Sequence, residues 1–388
     1  MEIIIAGIFW LTILLLIHAY ILYPVSLLIF TRFKSKPETR KPNSYPSVSI
    51  IISAYNEEKV IAERIDNIKN LDYDFKKLEL IIGSDCSNDT TNEILTQKSQ
   101  EFGWIRVQIF STRRGKAGVL NDLAHLAKNE ILVFTDANTK FDRDAILKLV
   151  SAFSDEKVGG VCGHLELQEP IENFDKTNRE KLYWKYETEL KKLEGDLGIL
   201  ISANGGIYSI RKKLFTKFPF DQAITDDLYQ TLAILNQGYN FLFAFDAIAS
   251  EEVSKEIITE FRRKVRFAAT NFQTLKFFKD LLFWKKLMLS YALWSHKVIR
   301  WFVPWLLIIL FITNLALVDY SKFYHNLFFI QIAFYLLAII GYVLNLVKVN
   351  ISVFSLVYYY LVTNLALLIG FIKFLTKKHS YIWDSTPR

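Results

Sequence analysis

Cysteine is nearly missing: Cys86 and Cys162 are the only two in 388 residues. Two thiols cannot build a disulfide framework. With six histidines and no C-x-x-C or H-x-x-x-H spacing, they do not outline a zinc site either. Glycine-rich phosphate loops are absent as well. Neither G-x-G-x-x-G nor G-x-x-x-x-G-K-[ST] occurs, which removes the dinucleotide fingerprint and the P-loop. The chain has no internal repeat, no low-complexity tract, and no dense Lys/Arg block interleaved with aromatics away from its apolar segments. Its net charge of +7 therefore fits cytoplasmic loops and anionic lipid headgroups, and speaks against nucleic acid as a partner.

Apolar residues make up 51% of the chain, and they pile up at both ends. That distribution predicts an integral membrane protein with a soluble middle. Ile3 to Phe30 is almost entirely apolar and long enough to cross a bilayer. It does not read as a signal peptide: no positive charge precedes it, its apolar core is too long, and no small-x-small cleavage site follows. Arg32, Lys34, Lys36, Arg40 and Lys41 come after it and only Glu2 before it, so the positive-inside rule places the following domain in the cytoplasm. Pro37, Pro42 and Pro46 stiffen the connector. Three further spans are expected at 298–318, 323–347 and 352–372. That count puts the C-terminus outside, whereas Lys373, Lys377, Lys378 and Arg388 favour the inside.

The segment 257–278 is amphipathic, with Phe261, Val265, Ala268, Phe272 and Leu275 on one face and Arg262, Arg263, Lys264 and Arg266 flanking it. It reads as a helix on anionic headgroups. Lys285, Lys286, Lys297 and Arg300 argue for a second surface-lying helix over 280–300. The expected division is an N-terminal helix (1–31), a basic, Pro-containing linker (32–46), a soluble domain (47–255), interface helices (256–297), membrane helices (298–375) and a polar tail (376–388).

In the soluble part, apolar runs at 48–52, 78–82, 105–110 and 131–134 alternate with helical patterns at 57–70, 89–100 and 116–127. This is the signature of βαβ units and an α/β domain with a mostly parallel sheet. Further elements follow as a strand at 158–167, helices at 177–193 and 225–237, and a strand at 240–245. Asp142 reads as a helix cap. Right-handed crossovers bring the C-terminal ends of the first four strands to one edge. Ala54 to Glu57, Ser84-Asp85, Arg113 to Lys116 and Asp136-Ala137-Asn138 collect there.

Asp136 and Asn138 offer a carboxylate and a carbonyl oxygen two residues apart, the hard ligands that Mg²⁺ or Mn²⁺ prefers. Taken alone, a plain strand exit is the simpler reading, because Asp and Asn favour turns. A calcium loop is a poor third choice, with Lys140 and Phe141 where it wants Asp/Asn and Gly and Leu147 where it wants Glu. Asn204-Gly205-Gly206 lets backbone approach a ligand closely, or makes a tight turn. Thr225-Asp226-Asp227 opens a helix, where acids also complement the dipole.

Together these pieces resemble the membrane-bound glycosyltransferases of family 2, the group of the cellulose, chitin, hyaluronan and poly-N-acetylglucosamine synthases. The likeness covers about Val48 to Phe267. Val48 to Glu57 looks like the family's first strand and loop, and Ser84-Asp85 with Ser87 and Asp89 like its S-D-x-S-x-D turn. Gly115-Lys116-Ala117-Gly118 with Leu120-Asn121 is similar to its basic loop, Asp136-Ala137-Asn138 to its D-x-D motif, and Thr225-Asp226-Asp227 to its T/E-D motif. Arg263 to Phe267 lies where the synthases carry Q-x-x-R-W.

The resemblance implies a GT-A, Rossmann-like cytoplasmic domain flanked by transmembrane and interfacial helices, in the plasma or inner membrane. It implies inverting transfer of a hexose or N-acetylhexosamine from a UDP-sugar to a growing polysaccharide or a lipid-linked acceptor. Asp227 is the expected base with Asp226 beside it. Tyr55, Glu57, Asp85, Lys116, Asp136, Arg263 and Arg266 are expected on the nucleotide sugar, Asn204, Gly205, Trp184 and Phe267 on the acceptor, and Asp136 with Asn138 on Mg²⁺ or Mn²⁺. Asn138 departs from the second acid of D-x-D, and Arg263 and Phe267 depart from Gln and Trp, which puts processivity in question. The alternatives are a non-processive transferase acting on a lipid carrier, and an inactive nucleotide-binding subunit of an export complex. Membrane lipids are expected contacts, with room for a homo-oligomer or an export partner.

Overall fold

The computed structural model describes residues 1–33, 44–168, 177–252, 257–283, 286–347, 349 and 351–377. The expected basic, Pro-containing linker lies mostly outside these residues, as do Lys285, Lys378 and the polar tail.

Helix α1 (Glu2–Phe33) is mostly apolar and carries a π turn over His18–Leu22. Strand β1 (Val48–Ala54) follows the linker. Its sequence, VSIIISA, is buried at nearly every position because strands lie on both sides of it and helices on both faces. Helices α2 (Ile61–Lys69), α3 (Thr91–Glu101) and α4 (Gly115–Leu126) alternate with strands β2 (Leu78–Asp85), β3 (Ile105–Phe110) and β4 (Ile131–Thr135). The period-two pleat divides the core. Ile51, Ile81 and Leu132 pack with Val119, Leu120 and Leu123 of α4, while Ile50, Ile52, Leu80, Ile82 and Val133 pack with Ile61, Ile65 and Ile68 of α2.

The remaining strands are β5 (Lys140–Phe141), β6 (Val158–Gln168), β7 (Tyr208–Arg211) and β8 (Asn240–Glu252). They extend the sheet to eight strands in the order β3-β2-β1-β4-β7-β6-β8-β5. β1 to β4 pair in parallel, as do β6 and β8. β7 runs antiparallel to both β4 and β6, and β5 antiparallel to β8. Helices α5 (Ala145–Ser151), α6 (Thr177–Asp196) and α7 (Asp226–Asn236) complete the domain. The α/β fold expected from the sequence is present, with a longer and more mixed sheet.

The helix expected from residue 57 starts at Ile61 instead. Asn56 is left-handed at φ 54°, and the backbone N–H groups of Glu57 and Glu58 donate across to Thr91 Oγ1 (2.9 Å) and Asp89 Oδ2 (3.2 Å). Partners outside the helix satisfy these donors, so the stretch stays a loop.

The membrane-length helices need two corrections. The expected continuous span at 298–318 is broken: α9 (Leu287–Trp301) and α10 (Val303–Ala316), separated from the domain by α8 (Ile257–Phe277), meet at 64°. Pro304 sits in the first turn of α10, where it cannot donate back to continue α9. Nor does α9 lie exposed on a surface. Leu289, Ala292, Leu293, His296 and Arg300 are buried, because its charges find partners on α6. With α11 (Lys322–Leu346) and α12 (Ser352–Leu375), three described helices are long and apolar enough to cross a membrane, or four if the bent pair counts as one.

α10 runs back along α1. Phe9 packs with Leu317 and Tyr324, and Trp10 Nε1 donates to Tyr324 Oη at 3.1 Å. The apolar face of α8 is covered by α12, where Gly370 lets Ala268 and the Val265 carbonyl come close.

Candidate active site

The strand ends converge as their polar residues predict. Lys116, in the first turn of α4, reaches Asp136 Oδ1 at 2.8 Å and Asp226 Oδ2 at 3.2 Å. Burial pulls its pKa down, but the carboxylates of Asp136 and Asp226 outweigh that and hold it above the ordinary lysine range. Asp226 and Asp227 open α7. Gly205 closes the group: a Cβ there would lie 3.5 Å from Asp227 Oδ2 and 3.9 Å from Asp136 Oδ2. Asp136 and Asp227 thus face Gly205, and Lys116 bridges Asp136 to Asp226.

Asp227 is pushed up to about 6, first by burial and then by the Asp226 carboxylate, with Lys116, the Leu228 N–H and Lys191 pulling it back. The Leu228 N–H donates to its Oδ1 at 2.6 Å. A carboxylate titrating near 6 is ionised at neutral pH yet more basic than a solvated one, which suits it to accept a proton.

The loops that hold these groups are bonded to one another. Thr225 N–H donates to Thr274 Oγ1 at 2.9 Å, and its Oγ1 lies 2.8 Å from both Thr270 Oγ1 and Asn271 Oδ1, so α8 fixes the entry to α7. Thr231 Oγ1 donates to the Asp227 carbonyl (2.6 Å) and accepts from Ala203 N–H (3.2 Å), which ties the Asn204 loop to α7. Asn204 is buried. Its Nδ2 donates to the Gly163 carbonyl at 2.8 Å, its N–H to Cys162 Sγ at 3.0 Å, and Lys191 Nζ donates to its Oδ1.

At the other end of the edge, Asp85 is 2% exposed and spends its oxygens on the neighbouring loop. It accepts from Arg114 N–H (2.6 Å), Gly115 N–H (3.0 Å) and Arg113 Nε (3.2 Å). It therefore shapes the start of α4 and the approach of Lys116. The Arg113 guanidinium lies 3.3 Å over the Tyr55 ring. Glu57 is buried in the same corner.

α8 brings Arg266 within electrostatic reach of Asp136 and Asp226. Burial and neighbouring Arg263 lower its pKa, and those two carboxylates oppose them. Arg263 instead pairs with Glu260 at 2.8 Å. Phe267 is 43% exposed. Trp184 stands half-buried on α6, about two turns before Lys191.

Asn138 donates through Nδ2 to Glu251 Oε1 at 2.8 Å. The donor set fits a hard divalent cation: Asp136 keeps Oδ2 on the Gly205 side while Lys116 takes Oδ1, and Asn138 adds an amide oxygen. Among the described residues, no three His, Cys, Asp or Glu side chains gather into a closed metal cage.

Three site residues escape a reading of the sequence. Arg64 of α2 is buried under the edge, donates to Thr135 Oγ1 at 3.1 Å and feels the Asp136 charge. Burial lowers its pKa to about 9. Lys191 lies in a charged helical stretch, in phase with Glu187 and Glu194, and that phase is the one signal it offers. Glu251 lies at the end of β8 and carries no local mark.

Residues 49–215 match the family model "Glycosyl transferase family 2". The chain carries a glycosyl transferase family 2 domain over these residues. This transferase is 28% identical over 243 residues to a beta-monoglucosyldiacylglycerol synthase of Trichormus variabilis, covering 62% of this chain and 52% of that one. It is 25% identical over 301 residues to a poly-beta-1,6-N-acetyl-D-glucosamine synthase of Staphylococcus epidermidis, covering 73% and 69%. The chain thus spans about half the length of the first relative. In fold it resembles the mannosyltransferase PcManGT of Pyrobaculum calidifontis, solved with GDP-Man and Mn²⁺. The TM-score is 0.73 and the identity 21%, covering 96% of this chain and all of that one.

Proposed function

We propose that this transferase moves a hexose or N-acetylhexosamine, with inversion, from a nucleotide diphosphate sugar to a lipid-linked or polysaccharide acceptor at a membrane surface. The carrying observation is that Asp136 and Asp227 face Gly205 while Lys116 bridges Asp136 and Asp226, with Asp227 raised to about 6. A UDP-sugar is the first donor to try, and GDP-mannose the second, because the protein of like fold was solved with it.

In this reading Asp227 accepts the proton of the acceptor hydroxyl as that oxygen attacks the anomeric carbon. Asp226 keeps Asp227 basic. Lys116 and Arg266 lie against the diphosphate and offset the charge that grows on the leaving nucleotide. Asp136 and Asn138 would hold Mg²⁺ or Mn²⁺, which supplies further positive charge to the same diphosphate. Tyr55, Glu57 and Arg113 line the nucleoside end, with Asp85 shaping the loop behind it. Asn204 and Gly205 present backbone to the acceptor, and Trp184 and Phe267 lie on its approach. The catalytic face is cytoplasmic, and the apolar helices embed the protein in the plasma or inner membrane.

Addition of a single sugar to a lipid is favoured over processive synthesis by Arg263 and Phe267. Arg263 is engaged by Glu260, and Phe267 offers no indole to an acceptor chain. The test is nucleotide release from a panel of UDP- and GDP-sugars by the full chain in detergent and lipid. It is run with Mg²⁺, Mn²⁺ or EDTA, with lipid acceptors, and with the products sized. Metal-dependent turnover that Asp227→Asn abolishes supports the reading. Nucleotide binding without turnover on any donor and acceptor overturns it in favour of an inactive subunit.

A further inference from the structure

Asn138 stands where a second acid is expected, so the edge carries one negative charge fewer there. The contact to Glu251 bears on that loss. A carboxylate can only accept, so the 2.8 Å bond from Asn138 Nδ2 fixes which end of the amide faces Glu251. The nitrogen points to Glu251 and Oδ1 is left for another partner.

Glu251 arrives from 113 residues downstream through strand pairing. Lys140 pairs with Ser250 and Phe141 with Ala249, so the chain leaving β4 runs beside the end of β8. Leu167 pairs with Glu251 from the other side and holds its register.

We infer that Glu251 is a positioning residue for the divalent cation. It presents Asn138 Oδ1 to the ion and returns, one bond further out, the negative charge that the amide lacks. Two physical effects act together. An ionised acceptor on the NH₂ group draws electron density toward the amide oxygen, and the carboxylate adds its own attraction for the ion. Outer carboxylates act on metal ligands in this way, and losing one costs about 10- to 100-fold in affinity. The inference rests on the reading that a divalent ion binds at Asp136 and Asn138.

The experiment measures Mn²⁺ affinity of the purified full chain by electron paramagnetic resonance, with UDP or GDP present, and needs no turnover. Glu251→Gln keeps the shape and removes the charge, and should weaken Mn²⁺ binding about tenfold with the melting temperature unchanged. Asn138→Asp should gain more affinity in the Glu251→Gln background than alone, because without the Glu251 carboxylate the new acid meets one neighbouring negative charge fewer. Asn138→Ala serves as a second route: once the amide is gone, Glu251→Gln should cost clearly less than tenfold. Unchanged Mn²⁺ affinity in Glu251→Gln, with Asn138→Asp acting equally in both backgrounds, overturns the inference and leaves the cation reading standing. No Mn²⁺ binding by the unaltered chain with either nucleotide overturns both.

Discussion

Acid should switch this transferase off through Asp227, and the fall can be worked out in advance. In the proposed mechanism Asp227 must be ionised to accept a proton, and burial with the Asp226 carboxylate raises it to about 6 from the ordinary 3.8. Between pH 7 and pH 5 its ionised fraction drops from about 91% to about 9%, so kcat/KM should fall about tenfold. An aspartate at its ordinary pKa would lose less than about a tenth of its activity over the same interval. The neighbours give the position of the limb a sign. Asp226 raises Asp227, so Asp226→Asn should move the acid limb to lower pH. Lys116 lowers it, so Lys116→Met should move the limb to higher pH. Both variants will also lose absolute rate, and the readout is therefore where the limb lies. The assay is initial nucleotide release at subsaturating donor, from pH 4.5 to 8 at constant ionic strength. A profile flat to pH 5, or limbs that both variants shift the same way, would refute the electrostatic account of the base.

Other outcomes can be checked on the same protein. Asp227→Asn should lower kcat by about 10²- to 10⁴-fold, with nucleotide affinity by calorimetry little changed, since the proton acceptor alone is lost. Gly205→Ala meets nothing closer than 3.5 Å, so its melting temperature should hold. Activity should nonetheless drop, because the methyl occupies the space that Asp136 and Asp227 face; full activity would show that the acceptor passes elsewhere. Gly370→Ala is the opposite case. Its Cβ would sit 2.4 Å from Ala268 Cβ and 2.7 Å from the Val265 carbonyl, where backbone cannot easily give. It should destabilise the protein by about 1–3 kcal/mol, read as a lower melting temperature in detergent.

The parts of this architecture that local chemistry dictates can be read from the chain. Ile105 to Phe110 forms the expected strand because Ile105, Val107 and Ile109 alternate with Arg106 and Gln108 at the two-residue period of a strand. The four polar clusters at the sheet edge meet for a topological reason, since parallel strands joined by right-handed crossovers leave their C-terminal ends together. What stayed hidden depends on pairing far along the sequence. Glu251 is brought to Asn138 by a two-residue strand that no periodicity marks. The charges of α9 looked like a surface pattern because their partners, Glu187 and Glu194, lie about a hundred residues earlier on another helix. Asp85 could be recognised as part of a turn, but its bonds to Arg113, Arg114 and Gly115 are visible only once the loop is folded.

Helix α6 carries Glu187, Lys191 and Glu194 in one row. Lys191 holds Asn204. Arg300 and His296 of α9 grip Glu187, and His296 with Tyr23 of α1 grips Glu194. Burial pushes Glu187 up, but Arg300 and His296 prevail and keep it ionised. The row spans about 10 Å of rigid helix. For an acceptor anchored in a bilayer, that rod works as a ruler. In the proposed reading it sets the standoff between the apolar helices and Asp227, so a headgroup would be admitted by its reach as much as by its shape.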